Sequence, residues 1–211
     1  MNIQQIYDNY HIMNNLQEHQ YRVAAVGKYI CDRYKQKINA KLVITTCLLH
    51  DMGNILKFDF TRFPEFLEPE GLEYWQNVKD EFRKKFGEHE HVATKIIATE
   101  LGMSDEVIAI LDNMGSSKSE DTYNNGSIER KICAYADMRV APFGVDSFQN
   151  RMEDLRVRYA NKNPTPPYEE RYIFLSKIEE LIFADCECRP EAITEETIQA
   201  DREELRGFEV L

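Results

Sequence analysis

The sequence predicts an all-α fold: a helical bundle with a helical extension at its C-terminal end. Three observations carry that expectation. Apolar residues recur at the 3.6-residue helical period along most of the chain, strand signals are nearly absent, and the interruptions are rich in glycine, proline and asparagine. With 211 residues, 43% hydrophobic and 30% charged, the chain is long enough for one well-cored domain and too apolar for disorder.

Residues 2–10 read as a short first helix and His11–Asn14 as a turn. From Asn15, the residues Leu16, His19, Val23, Val26, Ile30 and Tyr34 mark one face of a long amphipathic helix. Asn39 is placed to cap a third helix, Ala40 to Asp51. Its AKLVITTCLLHD run is apolar on nearly every side, so it belongs at the centre of the core, and Gly53 is placed to end it. Residues 57–70 (KFDFTRFPEFLEPE) are aromatic and interrupted by Pro64 and Pro69, the pattern of a loop or lid near a site. Helices follow at 71–86, 88–101 and 104–114, then a polar loop at 115–127 and a helix from Ile128 to Val140. After APFGVDS the composition shifts to an Arg-rich helix at 146–161, the Pro-rich break NKNPTPP, and helices at 167–187 and 193–207. The division expected is therefore a core of residues 1–145 and an extension, 146–211, packed on it.

Charge narrows the function classes. Twenty-six basic against 37 acidic residues give a net charge of −11, a field that repels nucleic acid and anionic membranes. A small phosphorylated molecule stays open as a partner, because a bound metal dominates the local potential. No apolar run approaches the roughly 20 residues that span a bilayer, and MNIQQIYDNYH has neither the basic nor the apolar region of a signal peptide. Five cysteines, odd in number and mostly inside helical patterns, read as reduced thiols of a cytoplasmic protein. Cys186-Glu-Cys188 lacks the second pair that a zinc site needs. An oligomer is left open.

Only five histidines occur, at 11, 19, 50, 89 and 91. His19 lies on the apolar face of its helix, His50 and Asp51 end the most apolar helix, and Asp137 shares a face with Cys133, Ala136 and Val140. An ionisable group on a buried face needs a partner. One divalent cation would serve all four together. Taken singly, each has an ordinary alternative: a hydrogen-bonded core histidine, a solvated aspartate, or a carboxylate paired with Arg22 or Arg139.

The segments EHQYRVA (18–24), LLHDMGN (48–54), GEHEHVATKI (87–96) and YADMRV (135–140) resemble, in order and interval, the motifs of the HD-domain metal-dependent phosphohydrolase superfamily. The resemblance covers residues 1 to about 145. It implies a helical bundle in which His19, His50, Asp51 and Asp137 ligate a divalent metal ion: manganese, iron, cobalt, nickel or magnesium. It further implies hydrolysis of a phosphate ester by metal-activated water, with Asp51 in the catalytic centre. The family's further histidines, which hold a second metal in some members, point here to His89. That residue shares a helical face with Val92, Ala93 and Ile96, whereas His91 faces water with Lys95. Two positions depart from the family pattern. Asn54 stands where nucleotidase-like members often carry glutamate, and ILDNMGSS (110–117) has no histidine, only Asp112; one metal is therefore expected rather than two. Arg22 and Arg139, close in sequence to His19 and Asp137, either clamp the phosphate or orient the ligand carboxylates. Arg151, Arg156 and Arg158 read as a helix face paired with Glu153 and Asp154, or as a basic rim. The alternatives to a phosphohydrolase are a di-iron oxygenase of the same fold and a metal- or ligand-sensing module without turnover.

Overall fold

A computed structural model of the chain describes residues 1–158 and 166–210. Among them are eleven α-helices and one two-stranded ribbon, so the fold is all-α as expected. Helices α1 (Ile3–Asn9), α2 (Asn14–Cys31) and α3 (Ala40–Leu49) come first. Asn39 caps α3 through a bond accepted from the Leu42 N–H, and residues 43–49 are buried without a break. That all-round burial makes α3 the hub. It packs on α2 and on α8 (Ile128–Asp137). The approach to α2 needs Gly27, since a Cβ there would come within 2.9 Å of Val43 Cγ1.

Gly53, placed by the sequence to end α3, lies beyond the His50 cap with a φ of −91°. It serves close approach instead. A Cβ there would lie 2.2 Å from the carbonyl oxygen of Glu90 and 2.9 Å from Ala93 Cβ, on α5 (Glu90–Glu100). The Gly53 N–H also donates to Thr94 Oγ1 at 2.9 Å. The turn after α3 is thus pinned against the start of α5.

The aromatic segment 57–70 is a loop with a single 3-10 turn, Pro64–Leu67. Helix α4 (Leu72–Phe86) anchors it: Lys79 Nζ donates to the Phe58 carbonyl at 2.7 Å, and the Trp75 indole N–H to the Leu67 carbonyl at 3.2 Å. Helix α6 (Asp105–Leu111) ends earlier than expected, and the polar stretch 115–127 holds a short helix, α7 (Ser119–Asn125), in place of a continuous loop. Its buried Ser119 and Thr122 belong to a face packed on α8 and α10 (Tyr168–Ala184). Tertiary contact overrides the weak helix propensity of SEDTYNN.

Helix α8 stops at Asp137. The chain then forms a hairpin, β1 (Val140–Ala141) with β2 (Gly144–Val145), where the expected helix ran on to Val140. Helix α9 (Phe148–Arg158) stacks Phe148 on Tyr172 of α10, ring centroids 5.1 Å apart. The expected end of that helix, at 161, and most of the Pro-rich break lie outside the described residues. Helix α11 (Glu195–Leu205) is laced to α2 by Glu18–Arg206, Arg22–Glu195 and Lys28–Asp201. No helix among the described residues is long and apolar enough to cross a membrane.

Candidate metal centre

Three central helices deliver the four expected residues to one place. His19 comes from the second turn of α2, His50 is the C-cap of α3 with Asp51 next to it, and Asp137 is the last residue of α8. His19 Nε2 lies 3.2 Å from Asp137 Oδ1 and 3.7 Å from Asp51 Oδ2. His50 Nε2 lies 3.5 Å and 3.6 Å from the same two oxygens. One ligand atom each from His19, His50 and Asp51 falls within 4.8 Å of the others, a spacing suited to one cation.

The hydrogen bonds around His50 test that fit. Its Nδ1–H donates to the Cys47 carbonyl at 2.8 Å, which fixes the tautomer and aims Nε2 at the cluster. Nε2 itself is buried and has no hydrogen-bond partner among the described residues. Burial disfavours the imidazolium, yet Asp51 and Asp137 more than offset this and push His50 up to about 10. Burial likewise works to raise Asp137, but His19 and His50 hold it well below the usual carboxylate range. The pocket therefore attracts positive charge, a proton or a metal cation, to the point where two imidazole nitrogens and two carboxylates meet. That donor set suits a divalent transition metal. Gln20 was not anticipated: fully buried beside His19, it accepts the Asp51 N–H at 3.3 Å and steadies the turn.

The cluster opens into a cavity of about 950 Å³. Asn54 and Lys57 line it next to the cluster, and the aromatic loop contributes Phe58, Phe63 and Phe66. Exposed Phe143, at the hairpin tip, packs on both Phe63 and Phe66, with ring centroids 5.8 and 5.6 Å apart. The lid expected at 57–70 is thus a wall of the site, continued by a hairpin that the sequence reading missed.

Three expectations are corrected. Arg139 does not line the cavity. It is 3% exposed and donates to the carbonyls of Asp146, Pro190 and Ile193 and to the Tyr135 hydroxyl. Arg22 does not line it either, because its Nε donates to Glu195 Oε1 at 2.8 Å, toward α11. His89 does not turn toward the cluster. Helix α5 starts at Glu90, leaving His89 as an exposed N-cap in extended conformation, so the helical phase assumed for it does not apply. His91, though 58% exposed, lines the cavity. Val92, expected to face inward, is exposed, and the buried face is Ala93, Thr94, Ile97 and Ala98. Asp112 pairs with Lys95 and stays outside the cavity.

Arg151 and Arg158 pair with Asp154, as the paired-face reading expected, yet both line the cavity. Arg62 and Arg171 line it too, and sequence reasoning gave neither a role. Arg62 sits inside the segment already read as a lid, a signal that went unused. Arg171 carried none, since only the fold brings α10 to this wall.

No curated protein and no solved structure gives a match. The family model of the HD domain matches residues 16–141, which span His19, the His50–Asp51 pair and Asp137. With those four side chains gathered at the meeting of α2, α3 and α8, the chain belongs to the HD domain family.

Proposed function

We propose that the protein is a metal-dependent phosphohydrolase acting on a small phosphorylated molecule. The observation that carries this reading is a local gathering of basic side chains. In a chain of net charge −11, five cations among the described residues line the cavity beside the His–Asp cluster: Lys57, Arg62, Arg151, Arg158 and Arg171. Its carboxylates are Asp51, Asp59, Glu90 and Asp137, two of which belong to the cluster. Such a wall selects an anion against the field of the whole molecule. The aromatic side chains leave room for the rest of the ester.

His19, His50, Asp51 and Asp137 would hold the cation, with the Cys47 carbonyl keeping the His50 Nε2 lone pair directed inward. A divalent ion in that position supplies Lewis acidity toward a phosphoryl oxygen and lowers the pKa of water. Asn54 lines the cavity, but its amide orients groups and takes no proton. The carboxylates of Asp51 and Asp137, as ligands, would set the charge on the cation and accept hydrogen bonds from the water it holds. Lys57, which also lines the cavity, would offset part of the phosphate's remaining charge.

A panel of nucleotides, sugar phosphates and phosphodiesters, supplied with divalent metals beside an oxygen-uptake assay with ferrous iron, tests this. Phosphate release is expected, and Asp51→Asn or Asp137→Asn is expected to cut it by about 100-fold or more, since even partners of ligands are worth about 10–100-fold. Oxygen consumption coupled to substrate loss would replace the reading with an oxygenase. Tight metabolite binding without turnover under every metal would replace it with a sensing module.

A further inference from the structure

The cavity is larger than one phosphate group needs. About 950 Å³ is near the upper end of ordinary small-molecule sites, and the His–Asp cluster accounts for only part of its lining. Four arginines line it as well: Arg62 from the aromatic loop, Arg151 and Arg158 from α9, and Arg171 from α10. Three of them, at 151, 158 and 171, lie beyond the matched residues 16–141, so they are features of this chain's own extension.

Arg151 is the most telling. It is 9% exposed, and its Nη1 donates to Asp154 Oδ2 at 2.6 Å. Its Nε, also buried, has no hydrogen-bond acceptor among the described residues. A buried guanidinium N–H without an acceptor is costly, and of the three arginines with such an Nε among the described residues, Arg130, Arg151 and Arg202, Arg151 is the one that lines the cavity. Arg158 binds the same Asp154, so one carboxylate answers two guanidiniums. Arg171 is braced from both sides, Nε donating to the Pro166 carbonyl at 2.8 Å and Nη1 to Ser116 Oγ at 3.0 Å. Arg62 is held to this wall through a bond to the Arg158 carbonyl at 3.0 Å. These are arginines positioned before any ligand arrives, with planar forks that match phosphate oxygens.

We propose that Arg62, Arg151, Arg158 and Arg171 form a second anion subsite, so that the substrate carries two phosphate groups, one at the His–Asp cluster and one on the arginine wall. The substrate half of this rests on the phosphohydrolase reading; the subsite itself rests on the arginines alone.

Inorganic phosphate titrated into metal-stripped protein tests the subsite without turnover. Without metal, Asp51 and Asp137 repel phosphate from the cluster, so bound phosphate reports on the arginines. Calorimetry should show saturable binding that weakens with salt and falls by about tenfold or more, some 1.4 kcal/mol, in Arg171→Gln. Arg151→Gln should abolish it. If that variant loses its helical far-UV signal, Arg171→Gln and Arg62→Gln decide the matter. Absent binding in the wild type, or binding that neither of these variants weakens, overturns the subsite.

Matched esters test the substrate half: a hexose monophosphate against a hexose bisphosphate, and a nucleoside with one phosphate against the same nucleoside with two separate ones. In the metal-loaded protein the doubly phosphorylated member of a pair should have a kcat/KM about tenfold higher or more, an advantage lost in Arg171→Gln. Phosphate binding without that preference would mean that free phosphate occupies the wall, and would overturn the two-phosphate substrate. Failure of every ester in the wider panel would count against the hydrolase reading instead, leaving the phosphate titration to decide the subsite.

Discussion

Four of the five N–H groups of Arg139 meet oxygen acceptors, and three of those acceptors are backbone carbonyls on the segments that follow α8. Two residues from Asp137, the side chain thus fastens the hairpin and the start of the extension to the helix that ends in that carboxylate. Arg139→Met should therefore show itself in stability. Removing the donors leaves several buried acceptors unmet at about 1–3 kcal/mol each, and a loss of roughly 3 kcal/mol or more in urea unfolding is expected. A variant of unchanged stability but raised KM would restore the phosphate-clamp role that the sequence suggested. Proximity in sequence misled here for a plain reason: the carbonyl acceptors lie 7 to 54 residues away, and nothing local announces them. His19, His50, Asp51 and Asp137 were legible because each is an ionisable group on a face otherwise apolar, and such a group needs a partner wherever it folds.

Helix α11 is joined to α2 at Glu195, which lies between Arg22 and Arg202 and also accepts the Val145 N–H at 3.0 Å. One carboxylate thus connects the helix carrying His19, the hairpin and the extension. Burial acts to raise the Glu195 pKa, but the bonds from Arg22 and Val145 and the charges of Arg22 and Arg202 act more strongly and lower it. A carboxyl depressed in the folded state contributes stability that is complete above its unfolded pKa, about 4.3 for glutamate. That contribution is lost as the pH falls through the lower folded value. Glu195→Gln should therefore cost roughly 1 kcal/mol at neutral pH, partial exposure keeping it no larger, and the gap from wild type should close under acid. Denaturant midpoints across the pH range check this; a gap that widens on acidification would contradict it. Element boundaries were legible where a cap or an apolar stripe marked them, as at Asn39. They failed at α5, where the helix start decided which histidine faces the cavity, and at α7, a polar segment made helical by its packing.

Across the whole molecule, an ion held by the His–Asp cluster would tie α2, α3 and α8 together, which would couple ion binding to global stability. A divalent ion at 100 times its dissociation constant adds about 2.7 kcal/mol. For a chain of 211 residues that raises the melting temperature by roughly 5–10 °C. Calorimetric scans with added manganese or nickel should show the rise, a chelator should reverse it, and Asp137→Asn should suppress most of it. A melting temperature indifferent to every ion would argue against the centre. The all-α class was readable from periodicity because each helix writes its buried stripe locally. The cavity was only half readable. Its metal end and aromatic loop are encoded in short segments, whereas its arginine wall exists only once α9 and α10 have packed beside them.

Trp75 is the only tryptophan in the chain, and its indole is bonded to the Leu67 carbonyl, in the loop that carries Phe58, Arg62, Phe63 and Phe66 into the cavity. Its emission is therefore sensitive to the state of that bond and to water reaching the ring. The unmodified protein carries its own optical gauge behind the loop that forms one wall of its site. A shift of that emission on titrating phosphate is the expected sign of ligand entry, with no dye, no label and no coupled assay.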